Sequence, residues 1–158
     1  MENSSILSNK PTPQISKWIF VLILATSFIG FLDSAYLTVE HYNKGILPCY
    51  IFEGCDQVTT SKYSTVANIP ISLFGAIYYL AIFAAAILFL DTKYAPILYI
   101  LILLPVAGFL LSLWFVYLQL FVIKAICLYC MVSAVTSTSL FIMSLILGKQ
   151  TIKNYSSF

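Results

Sequence analysis

Charge is what this sequence has least of. Charged residues make up 9% of its 158 residues, against about 25% in an ordinary soluble domain. There is no arginine and only one histidine, and the eight lysines do not cluster. A net charge of +2 without a basic patch excludes a nucleic-acid footprint, and excludes the charge-driven expansion of a disordered chain. What is present instead is apolar: 61% of residues are hydrophobic and mean hydropathy is +0.96. A water-soluble globule of this length has too little interior to hide so much apolar surface. The composition therefore describes an integral membrane protein.

Four apolar stretches divide the chain. The first runs from Trp18 to about Val39, broken by one acid, Asp33. It is too long for a signal-peptide core and no small-residue cleavage site follows it, so it reads as a retained anchor. The others run from Ile69 to Leu90, from Ala95 to Ile123 and from about Cys127 to Leu147. Each has the ~20 residues needed to cross ~30 Å of hydrocarbon. The third, at 1.5 Å per residue, would reach roughly 43 Å, so it must tilt or project, and Pro105 permits a kink. The expected fold is all-α and membrane-integral: a four-transmembrane-helix bundle with a long extracytoplasmic loop between helices 1 and 2. Residues 1–17 and 148–158 read as cytoplasmic polar tails flanking a membrane domain over 18–147.

Orientation follows from lysine. With the N-terminus inside, Lys10, Lys17, Lys93, Lys149 and Lys153 are cytoplasmic, against Lys44, Lys62 and Lys124 outside. Positive charge favours the inner side, so both termini are expected there, in a cell (inner) membrane. All four cysteines then face the outer side, where disulfides persist. Cys49 and Cys55 lie in the first loop, about 43–68, which is read as an ordered cap on the membrane surface. Cys127 and Cys130 form a C-x-x-C at the start of helix four.

A helix N-terminus favours a thiolate, because free backbone N–H groups and the helix dipole stabilise negative charge. Lys124 sits three residues upstream. The spaced pair Cys49/Cys55 can close on itself or open toward another thiol, and thiolates pass disulfides on by direct attack. Two pairs on one face therefore make a relay plausible. The competing reading is a non-enzymatic four-helix membrane protein with two structural disulfides. Four thiolates can also bind zinc, but these spacings match structural zinc sites poorly, and no metal is expected. Haem attachment fails because Met131, not histidine, follows Cys130.

The run Cys55-Asp56-Gln57-Val58, then Ser61-Lys62-Tyr63, then Ile69-Pro70-Ile71-Ser72-Leu73-Phe74-Gly75, then Cys127-Leu128-Tyr129-Cys130 resembles the bacterial form of the vitamin K epoxide reductase family. Ser34-Ala35-Tyr36-Leu37-Thr38 is similar to that family as well, and the resemblance spans about 18–147. It implies a four-helix bundle around a quinone of menaquinone or ubiquinone type, which serves as electron acceptor. It also implies disulfide generation for a DsbA-like thioredoxin-fold partner. Carried over by position, Cys49 would exchange with the partner and Cys55 would pass the exchange to Cys127. Cys130 would be the thiolate beside the quinone, Ser61 would sit near the ring and Phe74 would line the pocket. Many bacterial members carry a fifth helix and a fused thioredoxin domain. Here about eleven residues follow helix four, so the partner is expected to be a separate protein. The family often has glycine before the Ile-Pro; Asn68 stands there and tolerates the same left-handed turn. The other quinone-linked four-helix oxidase, the DsbB type, has its C-x-x-C in the first outer loop, the reverse of the order here.

Among the remaining residues, Asp33 is read either as a proton donor for quinone reduction or as a polar group at the membrane boundary. Glu40 and His41 are read as interfacial. Tyr78, Tyr79, Trp114 and Tyr117 are read as packing or lipid contacts. Cys130, Ser133, Ser137 and Ser144 share one stripe of helix four, suited to close packing or a pocket wall.

Overall fold

The computed structural model describes residues 17–43 and 54–156, with the side chains of Asp56 and of residues 153–156 left aside. Cys49, the N-terminal polar tail and part of the first loop lie outside the described residues.

Four long helices carry the four apolar stretches: α1 (Lys17–Asn43), α3 (Ile71–Thr92), α4 (Ala95–Tyr117, continued by a π-helical turn at Leu118–Ile123) and α5 (Leu128–Ser156). All four are long and apolar enough to cross a bilayer. Large apolar side chains cover their outward faces, among them Trp18, Leu103, Leu110 and Phe121. Only lipid makes such a surface favourable, since a soluble monomer does not expose apolar patches on that scale. Around the bundle, α1 packs on α3 and α5, and α4 packs on the same two. The expected four-helix membrane architecture is therefore present. Helix four extends past Leu147 to Ser156, so residues 148–156 continue the helix.

Between α1 and α3, the described part of the first loop holds a short helix α2 (Cys55–Thr59) and a hairpin of β1 (Thr65–Val66) and β2 (Ile69–Pro70). Thr65 pairs with Pro70 and Val66 with Ile69. The two residues between the strands, Ala67 and Asn68, both have positive φ, 52° and 65°. This is the left-handed pair that a two-residue hairpin demands, and Asn68 meets the expectation for a turn there. The Ile71 N–H then donates to the Ser64 carbonyl at 2.9 Å, tying the hairpin to the first turn of α3. At the opposite end, Lys93 turns left-handed (φ 50°) and donates its N–H to Phe89, and Pro96 opens α4. Those features fit the whole α3–α4 connection into residues 93–94.

Two buried clusters hold the bundle. One occupies the middle and the end where α1 begins and α5 ends: Phe20, Ile23, Tyr79, Ile82, Ala86, Phe89, Leu98, Leu101, Leu140 and Leu147. Phe20 and Phe89 stack there with centroids 5.3 Å apart. The other lies at the end bearing the first loop: Leu37, Cys55, Val58, Ala125 and Cys127, flanked by Tyr36, Tyr129 and Cys130.

Candidate functional site

The second cluster brings cysteines from distant parts of the chain together. Cys55 opens α2 and is buried, as is Cys127 at the entrance to α5. Gly54 permits that approach. A Cβ on it would come within 2.8–2.9 Å of the Ile126 backbone N and O, so α2 lies directly on the link before α5. Cys55 is disulfide-bonded, whereas Cys127 and Cys130 are free thiols.

Cys127 sits at the cap of α5: its carbonyl accepts the Met131 N–H at 3.1 Å. The Cys130 thiol hydrogen-bonds to its sulfur, and the backbone N–H groups of Cys130 and Tyr129 add to this, lowering its pKa to about 7. Burial and the Asp33 carboxylate act in the opposite direction. The thiolate expected at this helix start therefore falls on Cys127, with Cys130 as the donor that stabilises it.

Cys130 faces inward. With Ser133, Ala134 and Ser137 it forms one wall of a cavity of about 840 Å³ lined by α1, α3, α4 and α5 and by residues 58–65. Its volume is that of a site for an organic ligand, about 300–1,000 Å³. Phe74 and Ser61 both line it. The Ser61 hydroxyl donates to the Val58 carbonyl at 2.8 Å, so toward the cavity it offers lone pairs. Glu40 and His41 lie in the wall too.

Two adjacent tyrosines of α3 do different work. Tyr79 is buried over Gly30, where any Cβ would collide with its ring. Its hydroxyl meets the Ser133 carbonyl at 2.8 Å, the Ser133 hydroxyl at 3.1 Å and the Thr136 hydroxyl at 2.8 Å, bridging α3 to α5 across the bundle. Tyr78 lies against Gly108 of α4, with its hydroxyl beside Ser137, yet both oxygens are buried without a properly formed hydrogen bond. Asp33 is half-buried, and its Oδ2 likewise has no partner. Trp114 and Tyr117 stack on one another on the outer face.

Sequence reasoning passed over Gln119. It is 2% exposed, and its Oε1 accepts the Cys127 N–H at 3.0 Å. The available signal was a lone amide inside a 29-residue apolar span. Tyr79 was missed as a polar bridge because a tyrosine in an apolar helix reads the same whether it faces lipid or the interior.

The profile of the Vitamin K epoxide reductase family matches residues 21–145, which takes in α2, the hairpin, α3 and α4 whole and most of α1 and α5. No curated protein matches the chain significantly.

Proposed function

The chain belongs to the vitamin K epoxide reductase family and is a membrane thiol–disulfide oxidoreductase, and on that premise we propose that it generates disulfides for a separate DsbA-like thioredoxin-fold protein and delivers the electrons to a membrane quinone. The observation that carries this is the sequence of contacts at one end of the bundle. Cys55 and Cys127 are buried in one cluster, Cys127 is hydrogen-bonded to Cys130, and Cys130 lines the cavity.

The thiol chemistry balances as follows. A thiolate of the reduced partner attacks Cys49 of a Cys49–Cys55 disulfide, and Cys55 leaves as thiolate. The partner's second thiol attacks the mixed bond, so the partner departs as a disulfide and Cys49 is left reduced. Cys55 then attacks Cys127 of an oxidised Cys127–Cys130 pair, and Cys130 leaves. Cys49 attacks Cys55, closing the loop pair and freeing Cys127. Two electrons from the partner now rest on Cys127 and Cys130. Each transfer is direct thiolate attack on a disulfide sulfur. The low pKa of Cys127 makes it a good leaving group at neutral pH.

The residues around the cavity fit a quinone. The walls are largely apolar, the Cys130 thiol is among them, and the orphaned Tyr78 and Ser137 hydroxyls are polar groups that a carbonyl compound would satisfy. A bound quinone supplies a two-electron, two-proton acceptor. Phe74 and Tyr78 would hold its ring, Ser61 offers an acceptor to a ring hydroxyl, and Cys130 presents the reducing sulfur. In the orientation that lysine placement favours, both termini are cytoplasmic and the cysteines lie on the outer side of the cell membrane.

Detergent-purified protein should oxidise a reduced thioredoxin-fold substrate only when a quinone is supplied. Oxidation at the same rate without quinone, or in a Cys130→Ala variant, refutes the reading. A scaffold with static disulfides would keep fixed pairs under mild reductant, whereas a relay yields free thiols and mixed pairs by mass spectrometry.

A further inference from the structure

The link between α4 and α5 runs over residues 124–127, and one residue holds it. The Gln119 carbonyl accepts the N–H of Lys124 and, at 3.1 Å, that of Ala125. Its side chain reaches past both to accept the N–H of Cys127 at 3.0 Å. The π-helical turn makes this possible. Its wider ring returns bonds five residues back, so Gln119 stands under the left-handed Lys124 (φ 56°), where the chain reverses. Cys127 is fully buried, so its N–H has no water to turn to, and a buried donor without an acceptor is strongly disfavoured. The same amide side chain lies in the cavity wall.

We propose that the Gln119 side chain is a positioning residue for the relay, holding Cys127 at the attack geometry toward Cys55 by accepting its backbone N–H. The inference rests on the relay reading and adds a residue that neither the C-x-x-C nor the loop pair contains. The backbone bonds from residues 124 and 125 fix the start of the link whatever side chain residue 119 carries. The side-chain bond alone fixes the residue whose sulfur reacts.

The test isolates one exchange. In a full-length Cys130→Ser background, the Cys127 thiolate attacks Cys55 of the loop disulfide. The Cys55–Cys127 bond forms, the Cys49–Cys55 bond breaks, and Cys49 leaves as a thiolate that takes up a proton. The released Cys49 thiol is counted by mass-tagging across pH 5–10. Gln119→Leu and Gln119→Met remove the acceptor and should slow release by about 10²-fold, the scale of a misplacement near 1 Å. Gln119→Glu keeps the acceptor but places a carboxylate near the sulfur, so the pH midpoint should rise by about one unit. At pH 9–10 its rate should come back to within a few-fold of the Gln119 parent, whereas Leu and Met stay slow at every pH. With residue 130 fixed as serine throughout, the ionisable groups facing Cys127 are Tyr129 on α5 and Asp33 on α1; none is altered between parent and Gln119 variants.

Parent-like rates in the Leu and Met variants overturn the proposal. So does a Glu variant whose midpoint does not move, and this result alone decides if the apolar variants fail to fold. A Gln119 parent that releases no Cys49 thiol overturns the relay itself, and the inference with it.

Discussion

The two ends of this bundle are built from the same four helices and solve opposite problems. At the end where α1 begins and α5 ends, Phe20, Ile82, Ala86, Phe89 and Leu147 fill the interior, and Ile82, Ala86 and Leu147 have no measurable exposure. At the other end, the helices stand around an 840 Å³ cavity whose wall mixes aromatic rings with hydroxyls and a thiol. Close packing there is confined to the small cluster joining Cys55 and Cys127. One half supplies cohesion, and the other keeps open space and reactive groups. Close packing and open, polar-lined space are thus separated along the bundle, and substitutions should separate in the same way.

The largest effect should come from Cys130→Ala. It removes the only thiol among the described residues that lines the cavity, and should reduce quinone-dependent thiol oxidation to the rate without protein while the thermal midpoint barely moves. Ile82→Ala should do the reverse. It empties a fully buried site in the packed half and should cost about 2–5 kcal/mol of stability, with activity per folded molecule retained; equal losses of activity and stability in both variants would dissolve the comparison. The third effect is of pH. Because the Cys127 pKa is lowered to about 7, its thiolate is populated above that value. Exchange driven by this thiolate in the wild type should rise about tenfold from pH 6 to 8 and then level off, whereas a thiol near 9 would keep gaining rate to pH 10. Tyr79→Phe breaks the bridge at the border between the halves and should cost about 1–2 kcal/mol, the range of a buried hydrogen-bonded group, read by thermal unfolding. The smallest effect is at the hairpin. Ala67 has φ 52°, and Ala67→Gly should gain about 1 kcal/mol by removing the left-handed penalty, with no change in exchange rate.

Hydropathy made the packed half and the helices legible. The apolar run Ala95–Ile123 coincides with the third span, and Ile69–Leu90 falls within two residues of α3. It could not mark where helices stop, because the hydrogen-bond ladder runs on past the apolar stretches, starting at Lys17 in α1 and ending at Ser156 in α5. The π-helical turn was invisible for a similar reason: Leu118–Ile123 has the composition of any apolar helix, and the register change lies in the backbone. Cys55, Cys127 and Cys130 stood out by their spacing, and the family resemblance pointed to Ser61 and Phe74; the fold sets Cys130, Ser61 and Phe74 around one cavity. Cys49 lies outside the described residues. The charge distribution within the C-x-x-C was not legible, since it depends on which sulfur meets the free N–H groups. Nor was Gln119, whose role follows from a chain reversal that no local pattern announces.

Tyr79 has a mechanical consequence. A ring wedged over Gly30 and bonded at its tip to Ser133 and Thr136 is a cross-brace between two diagonal helices. A braced frame does not fall inward when its contents leave. An incoming molecule therefore finds the chamber already standing and spends little binding energy on prising helices apart.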